Sequence, residues 1–422
     1  MNYEVFNKGA YRLHLIRSTK FKRSNVIINL KRKVKKEELT LRTLLVKVML
    51  ESSKKYKNSR SMAIETENLY NLSLTGTSYL SGNYSVISLD SMFLNNDYTE
   101  DNLFSKAIDF LVEILTNPNV EKNSFNKESF SLAFDSLKEE IETFKDDPNR
   151  YSYLRLFEEI DKKSLSSLSA LGNLKYLEKI TPKKLYKYYL DVINNDQIDI
   201  FVISPLDKET VNKTFEERLE LNSRKFLTDT HYIDYDKYRK RVKIVREKQD
   251  YDQSKLLIGC KFDKLTPFEI KYVSLVYSYI LGGGPSSKLF RTVREKNSLC
   301  YSISCSFKPL NQYLIINSGI NPDSLNKCLK LIKRELKDMV KGKFEEEKID
   351  EAKITYLNSL KEINDSPRSI LSTFIAHEYM DTDLIDEREE KIKRVTYEDV
   401  VTFAKKVHID TVYVLEGGEE DE

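Results

Sequence analysis

The stretch Leu281–Tyr301 reads LGGGPSSKLFRTVREKNSLCY, and its interpretation decides that of the whole chain. A phosphate-binding loop needs the spacing Gly-x-x-x-x-Gly-Lys-Ser/Thr after a strand. Here Gly282, Gly283 and Gly284 are consecutive, Lys288 follows after Pro-Ser-Ser, and the preceding residues have the apolar pattern of a helix. The spacing therefore argues against a nucleotide site.

Two interpretations of the three glycines remain open. Glycine readily adopts the left-handed conformation that ends a helix, so the run could simply be a helix stop. One glycine would be enough for a stop, whereas three leave a bare length of backbone that another chain can approach closely. The following residues predict a short helix with Leu289, Phe290 and Val293 on its buried side, and then an alternating strand.

Length and composition indicate a globular protein with more than one domain. The chain has 422 residues, of which 40% are hydrophobic and 32% are charged. This length exceeds that of a typical single core. Its 69 basic and 66 acidic residues leave a net charge of +3. Because nucleic-acid-binding chains usually carry a concentrated basic excess, this balance argues against a nucleic-acid partner.

The sequence also predicts a cytoplasmic protein without membrane contact. It shows no N-terminal apolar stretch of signal-peptide length and no run of about 18 apolar residues that could cross a membrane. In a chain of this length the cysteines indicate reduced thiols rather than a disulfide framework, since no Cys-x-x-Cys pair occurs. The four cysteines are Cys260, Cys300, Cys305 and Cys328.

The two halves of the chain follow the same order of segments. A short apolar strand begins at Ser24 and another at Ser254, and a helical pattern follows each. Amphipathic helices start near Thr99 and Asn321, and each is succeeded by a longer charged helix that ends close to a proline. The two prolines are Pro148 and Pro367. A repeat of this length indicates two copies of one domain.

We therefore predict an α+β chain of two homologous domains, each a mainly antiparallel sheet covered by helices on one face. Residues 1–221 would form the first domain and residues 241–422 the second. The polar segment between them, residues 222–240, has neither helical nor strand periodicity and is predicted to be the linker.

The residues from Gly283 to Tyr301 resemble the glycine-rich loop and following motif in the second domain of pitrilysin/insulinase-family zinc peptidases. That motif reads Gly-Gly-x-x-Ser-x-Leu-Phe-x-x-x-Arg-Glu-Lys-x-x-Leu-x-Tyr, and every stated position matches here. Chains of the family carry two homologous α+β domains, in agreement with the internal repeat, so the resemblance covers essentially the full length. It implies that the two domains are joined in a clamshell.

In such peptidases a first-domain helix carries His-x-x-Glu-His, whose histidines bind zinc and whose glutamate activates the metal-bound water. Aligned on the Met-Leu after this motif, the histidine positions are Leu44 and Val48 and the glutamate position is Lys47. Leu132 and Ala133 stand near the place of a further ligand. The resemblance therefore implies that this chain has lost its zinc site and has no catalytic residue of its own.

The histidines provide no replacement, because each is isolated in the sequence. His377 begins a His-Glu-x-x-His pattern, but Asp381 stands where the second histidine should be. We therefore expect no peptidase activity from the chain alone. The four histidines are His14, His231, His377 and His408.

The second-domain motif is intact although the first-domain motif is lost. In the family its arginine and tyrosine, here Arg294 and Tyr301, face the zinc site across a closed chamber and hold the substrate backbone. A guanidinium and a phenol can both donate hydrogen bonds to peptide carbonyls. The predicted substrate-binding residues are therefore Arg294, Tyr301, Gly282, Gly283 and Gly284.

Simpler roles are available for both side chains if the residues are taken alone. Arg294 could pair with a neighbouring carboxylate. Alternation along the strand places Tyr301, as an ordinary half-buried aromatic, on one face with Leu299, Ile303, Cys305 and Phe307.

Several relatives act as heterodimers in which one chain carries zinc and the other carries the glycine-rich loop with the arginine and tyrosine. The resemblance implies that this chain is the non-catalytic, substrate-binding subunit of such a pair. Its partner would be an insulinase-family chain with His-x-x-Glu-His and zinc, or a second copy in a homodimer, and its ligand an extended peptide. The alternatives are a structural scaffold, like the family's core subunits in respiratory complexes, and a peptide-binding protein with no role in proteolysis.

A closer resemblance concerns one bacterial subfamily, named for an association with elongation factor P modification. It rests on SLSALGNLKYLEKITPKKLYKYY and EKQDYDQSKLLIG together with the glycine-rich stretch. No residue of the chain indicates that association itself.

Overall fold

The computed structural model describes residues 2–233, 237–251 and 253–417. Within these ranges the chain forms two compact units, and neither is a continuous stretch. The first unit comprises residues up to 143, residues 169–231 and residues 364–379. The second unit comprises residues 144–168, residues 232–363 and the residues from 380 onward.

The strands of the described residues are numbered in chain order. They are β1 (Asn2–Asn7), β2 (Arg12–Arg17), β3 (Arg23–Lys33), β4 (Ser73–Ser81), β5 (Tyr84–Leu94), β6 (Val120–Glu121), β7 (Ser124–Phe125), β8 (Gln197–Ser204), β9 (Lys243–Lys248), β10 (Ser254–Phe262), β11 (Cys300–Lys308), β12 (Tyr313–Ile320) and β13 (Val407–Glu416).

The α-helices are α1 (Leu39–Glu51), α2 (Ser59–Asn68), α3 (Leu103–Thr116), α4 (Lys127–Glu142), α5 (Pro148–Ile160), α6 (Leu174–Leu177), α7 (Pro182–Asn195), α8 (Lys208–Glu216), α9 (Ser274–Gly282), α10 (Leu325–Val340), α11 (Glu347–Ile363), α12 (Pro367–Met380), α13 (Ile385–Lys393) and α14 (Tyr397–Lys405). Two segments are π-helical, Glu269–Val273 and Phe290–Glu295. Short 3₁₀ turns occupy Lys36–Glu38, Asn96–Tyr98, Thr143–Asp146, Leu165–Ser167 and Pro322–Ser324.

The first unit is built on a six-stranded sheet with the order β1-β2-β8-β3-β5-β4. All neighbouring strands are antiparallel except β2 and β8, which are parallel. Alternation along β3 shows the two faces: Val26, Ile28 and Leu30 enter the main core, while Asn29 and Lys31 lie on the opposite face. The main core face is covered chiefly by α1, α3 and α7, whose apolar sides are buried.

The second unit repeats this topology. Its five-stranded sheet has the order β11-β12-β10-β13-β9, and only β13 and β9 are parallel. The same connectivity relates β4-β5-β3-β8-β2 of the first unit, and the two central strands β3 and β10 are those that begin the repeat in the sequence. The prediction of two homologous, mainly antiparallel α+β domains is therefore confirmed.

Helices cover both faces of each sheet rather than one face only. In the first unit α12 lies on the second face, where Phe374 stacks on Tyr3 with ring centroids 4.2 Å apart. Farther along α12, Tyr379 accepts a hydrogen bond from Asn29 (3.2 Å) and donates one to Asp199 (3.1 Å). The segment that covers this sheet therefore comes from the C-terminal half of the chain.

The second unit has the reciprocal arrangement. Leu156 and Ile160 of α5 pack with Leu257, Ile315 and Tyr413 on the face of the sheet that points away from its main core. Helices α5 and α12 are equivalent, and both begin with a proline. Helix α5 comes from the first half of the chain but belongs to the second unit, whereas α12 comes from the second half but lies in the first unit, so the two helices are exchanged. The predicted ranges 1–221 and 241–422 do not include this exchange.

The predicted linker, residues 222–240, is divided between the units, since His231 belongs to the first and Tyr232 to the second. Its residues 234–236 lie outside the described part of the chain. Where helices are described, none combines the length and the apolar character needed to cross a membrane. All four cysteines are free and buried.

Candidate functional site

The three glycines of the loop have different surroundings. Gly282 is buried at the end of α9, and a Cβ on it would lie 2.6 Å from both the Cβ and the backbone nitrogen of Cys305 on β11. Gly283 ends the helix, with its N–H bonded to the carbonyl of Tyr279 (3.0 Å). Gly284 has φ +154°, and a Cβ there would meet nothing within 4 Å. The run thus contains a tight packing contact, a helix stop and one open stretch of backbone.

The chain re-enters a helix directly after the glycines. The backbone N–H of Ser287 (3.0 Å) and its hydroxyl (2.6 Å) both donate to the carbonyl of Gly284, which closes the turn. Leu289 and Val293 are fully buried, as the sequence predicts, and Phe290 is half-buried. From Phe290 the helix has π geometry. Such turns are rare in proteins, and where they occur they are often at functional sites.

Arg294 lies on the π-helical segment and is exposed. Its guanidinium carbon is 4.7 Å from the centroid of the Phe290 ring, a cation–π geometry. Among the described residues no carboxylate forms an ion pair with it. By contrast, Arg291 one turn earlier lies 3.5 Å from Glu345. The simpler role for Arg294, pairing with a neighbouring carboxylate, is therefore not observed within the described ranges.

Tyr301 stands on a β-bulge. In the pairing of β11 with β12, Cys300 faces Ile320 and Ser302 faces Gly319, so that Tyr301 has no partner residue. The bulge turns its side chain outward, and 61% of the residue is exposed. The prediction that Tyr301 shares a buried face with its alternate neighbours is wrong, because alternation along a strand does not continue through a bulge.

Arg294 and Tyr301 are carried by one short turn. The backbone N–H of Ser298 donates to the carbonyl of Arg294 (2.9 Å), and that of Leu299 donates to Val293 (3.1 Å). Ser298 has φ +51°, the left-handed conformation that reverses the chain after a helix. Two backbone hydrogen bonds therefore hold the turn that joins the π-helical segment to the bulge of β11.

The positions aligned with the zinc motif, Leu44, Lys47 and Val48, are filled by core and ion-pair residues. Leu44 and Val48 on α1 are buried, with 0% and 1% exposure. The Nζ of Lys47 lies 3.2 Å from Oε2 of Glu140 and 3.3 Å from the hydroxyl of Ser136, both on α4. Zinc takes its ligands from Cys, His, Asp and Glu side chains. These residues do not fit the metal that the family's motif holds.

No other metal site is evident in the described part of the chain, where no three His, Cys, Asp or Glu side chains form a group able to hold an ion. Leu132, one of the two residues near the place of the further ligand, is 51% exposed, and Ala133 is buried. His408 lies 2.9 Å from Asp263, and His377 lies edge-on to the ring of Tyr3.

A buried polar network on the second face of the first sheet was missed by sequence reasoning. Asp199 has no exposed surface and accepts a hydrogen bond from Arg12 (2.7 Å), with Lys31 at 3.5 Å. Burial opposes ionisation, but the His14 ring, with Nε2 3.6 Å away, and the charges of Lys31 and Arg12 outweigh it, so the pKa of Asp199 is well below its usual range. Arg12 also donates to Glu378 of α12 (3.1 Å).

His231 belongs to the same region. Its ring stacks between those of Tyr84 and Tyr379, with centroids 4.2 Å and 4.4 Å away. Its Nδ1 is 2.8 Å from the hydroxyl of Ser81, and its Nε2 is 3.5 Å from Nζ of Lys31. Burial, and then the charge of Lys31, lower the pKa of His231 to about 3. The signal in the sequence is the presence of polar residues at alternate positions of the apolar strands β3 and β8.

Comparisons with known proteins agree with the fold and with the altered motif. Residues 179–356 match the family model described as the Peptidase M16 inactive domain. The chain is 27% identical to the probable inactive metalloprotease YmfF of Bacillus subtilis, over 97% of both chains. A conserved protein of Enterococcus faecalis V583 has a crystal structure that matches with a TM-score of 0.90 and 25% identity, over 100% of both chains.

A crystal structure of a peptidase M16 inactive domain from Pseudomonas fluorescens shares the fold, with a TM-score of 0.81 and 16% identity over 100% of both chains. The intact glycine-rich motif, the repeated topology and these matches lead to one conclusion. Residues 179–356 match the M16 inactive domain and the whole chain is similar to a probable inactive metalloprotease, which supports a non-catalytic protein of the M16 (insulinase) type.

Proposed function

We propose that this chain is the substrate-binding subunit of a heterodimeric zinc peptidase. The observation that carries the proposal is the state of Arg294 and Tyr301. Both are exposed, neither has a polar side-chain partner among the described residues, and one hydrogen-bonded turn holds them. A purely structural role does not explain why one turn exposes two hydrogen-bond donors that have no polar side-chain partner in the part of the chain that the structure describes.

The two side chains suit the backbone of an extended peptide. The planar guanidinium of Arg294 offers several N–H donors in a fixed arrangement, and the hydroxyl of Tyr301 can both donate and accept. The edge strand β11, which carries Tyr301, has only β12 beside it in the described sheet. A peptide can add to such an edge through main-chain hydrogen bonds, with little demand on its side chains. Gly284 offers open backbone nearby in the sequence.

The zinc would be supplied by a partner chain of the same family that carries His-x-x-Glu-His. Positioned donors that orient a peptide bond lower the barrier for its attack by water. In this division of labour the partner cleaves the peptide, while Arg294 and Tyr301 hold it in register. The name of the Bacillus relative, a probable inactive metalloprotease, is in keeping with a chain that does not cleave peptides by itself.

The test is cleavage of a quenched fluorescent peptide library by this chain, by the zinc-motif chain of the same genome, and by an equimolar mixture. Activity should appear only in the mixture. Arg294→Ala or Tyr301→Phe should lower kcat/KM of the mixture on the order of 100-fold, the effect of losing one positioned donor. Arg291→Ala and Tyr98→Phe are matched controls, since both residues are exposed and lie outside the turn.

The outcomes separate the proposal from its alternatives. If the two chains elute apart and mixing adds no activity, the heterodimer is excluded. If they form an active complex that is indifferent to Arg294→Ala and Tyr301→Phe, the chain is a scaffold rather than a substrate-binding subunit.

A further inference from the structure

One face of α10 in the second unit carries a continuous row of basic side chains. Their spacing of three, four, three and four residues keeps them on one line of the helix. This line lies opposite the side buried in the core, which includes Cys328, Ile332 and Met339. All members of the row are exposed, and the last directly follows the helix. The row consists of Lys327, Lys330, Arg334, Lys337 and Lys341.

The charges of this row are almost unused inside the chain. Within the described ranges, the sole ion pair of the five joins Arg334 to its neighbour Glu335, at 3.2 Å. Over its 14-residue span the row is about 21 Å long. A line of exposed cations of this length, only one of them in an ion pair with a described residue, is a surface to which an acidic partner is attracted.

The first unit presents an acidic row of the same kind on α4. Its members are exposed and lie on the side of the helix that faces away from the buried Ala133 and Leu137. The one ion pair that the structure shows for them, in the residues it describes, is Glu142 with Lys138 at 3.9 Å. The row consists of Glu128, Asp135, Glu139 and Glu142.

The two rows match when their helices run antiparallel. Going backwards from Glu142, the successive steps to the next acidic residues of the row are three, four and seven positions. Going forwards from Lys327, the same three steps lead to three of the other basic residues. The remaining basic residue, Lys337, then stands opposite Leu132, which is 51% exposed. The methylene stem of a lysine can cover such an apolar side chain while its ammonium stays in water. The pairs in this register are Glu142 with Lys327, Glu139 with Lys330, Asp135 with Arg334, and Glu128 with Lys341.

We propose that the chain self-associates by docking α10 of one copy antiparallel on α4 of a second copy. This interaction goes beyond the proposed function and does not depend on it. Each exposed ion pair contributes little, so four of them give weak association that salt readily screens. Charge pairing of this kind governs partner choice and register more than tightness.

A polyanion such as nucleic acid fits the basic row less well. The row contains no aromatic side chain on which bases could stack. Three exposed glutamates, Glu345, Glu346 and Glu347, also follow shortly after the C-terminal end of α10 and would repel a continuous run of phosphates. The acidic row on α4, by contrast, has the same length as the basic row, about 21 Å, and therefore matches it from end to end.

The experiment is sedimentation velocity of the full chain in about 50 mM and about 500 mM salt, where the Debye length falls severalfold. We expect association in low salt and an apparent Kd at least about tenfold weaker in high salt. Reversal of the basic row, Lys330→Glu with Arg334→Glu, should give monomers in low salt. Reversal of the acidic row, Asp135→Arg with Glu139→Lys, should do the same.

The decisive sample is an equimolar mixture of the two reversed variants. Each repels its own copies but complements the other, so the mixture should associate as the natural chain does. A control, Lys162→Glu with Lys163→Glu, makes the same charge change at exposed positions outside both helices and should associate normally.

Three results would overturn the proposal: monomers of the natural chain in low salt, equal dissociation of the control, or no association in the mixture. If the natural chain is monomeric and the basic-row variant instead loses binding to duplex DNA or to the zinc-motif chain, the row serves that partner and the proposal is wrong.

Discussion

The Nζ of Lys47 lies 3.2 Å from Oε2 of Glu140, so an ion pair joins α1 to α4 at the position where the family's zinc motif has its catalytic glutamate. The side chains are 27% and 36% exposed, which places the pair near the surface. Together with the buried Leu44 and Val48, it fills the positions aligned with that motif with side chains that cannot bind a metal.

Removing this pair should have a small effect on stability. Because a partly exposed ion pair contributes about 0–1 kcal/mol, Lys47→Ala should lower the free energy of unfolding by no more than that. Lys47→Glu should lower it further, since it places two carboxylates together, and adding Glu140→Lys should restore most of the loss. Urea unfolding of the four chains measures this. A loss above about 2 kcal/mol for Lys47→Ala would show that the pair behaves as a buried one.

Restoring the two histidines should destabilise the first unit without creating a zinc site. Leu44→His with Val48→His places two polar rings where exposure is 0% and 1%, at a cost of about 1–3 kcal/mol each. Lys47 stays beside them as a repelling cation. Thermal unfolding with and without micromolar zinc tests this, with Leu44→Met as a control of similar volume. A zinc-dependent rise in Tm would contradict the prediction.

The glycines of the loop should respond differently to side-chain size. At Gly282 the Cβ meets the backbone of Cys305 at 2.6 Å, so alanine should cost about 1–3 kcal/mol and valine distinctly more. At Gly284 there is open space but φ is +154°, so alanine and valine should cost similar amounts, about 1–3 kcal/mol from backbone strain. Urea unfolding of the four variants gives the comparison. Equal costs at Gly282 would mean that β11 can move aside.

Repetition and motif were predictable because they are local patterns. The strands predicted to begin at Ser24 and Ser254 alternate or run apolar as central strands do, and as β3 and β10 both lie inside their sheets. The stretch from Gly283 to Tyr301 indicates the resemblance to the family because it matches at every stated position of a long motif. Such signals survive even where few residues are identical between the halves.

The exchange of helices and the bulge were not predictable, for physical reasons. Pro148 and Pro367 each mark the start of a helix, but an amphipathic pattern does not say which sheet the helix covers. Tyr301 lies in an unbroken run of strand-forming residues, and the extra residue appears only in the pairing with β12. Both features depend on contacts between segments far apart in the chain.

The buried carboxylate that meets α12 should contribute strongly to stability. Asp199 is completely buried and is bonded to Arg12 and Tyr379, so Asp199→Asn leaves the buried Lys31 without its counter-charge and Arg12 with Glu378 alone. Breaking such a pair costs about 3–5 kcal/mol. Asp365→Asn is the matched control, because Asp365 and its ion-pair partner Lys20 are both largely exposed. Urea unfolding should show a large loss for the first variant and almost none for the second.

Acid should destabilise the first unit through His231. The pKa of this histidine is about 3 in the folded chain against 6.5 for an ordinary histidine, because burial and the nearby charge of Lys31 disfavour its protonated form. Between these values the unfolded chain binds a proton that the folded chain does not. Stability is therefore fully present above about pH 6.5 and falls, by about 1.4 kcal/mol per pH unit, as the pH drops toward 3. Asp199 acts in the same direction, but only below its ordinary pKa of 3.8.

The free energy of unfolding in urea, measured from pH 7 to pH 4, tests the contribution of His231 in the range where Asp199 has little effect. His231→Gln keeps a side chain that can bond to the hydroxyl of Ser81 but cannot titrate, so its stability should be lower at pH 7 and fall distinctly less than that of the natural chain as the pH drops. The remaining loss near pH 4 comes from carboxylates whose pKa the fold lowers, such as Glu247 and Glu269. His408→Gln, at a partly exposed histidine beside Asp263, is the control and should keep most of the slope. If His231→Gln and the natural chain lose stability in parallel, the acid sensitivity arises elsewhere, because a group that cannot bind a proton cannot contribute to the slope.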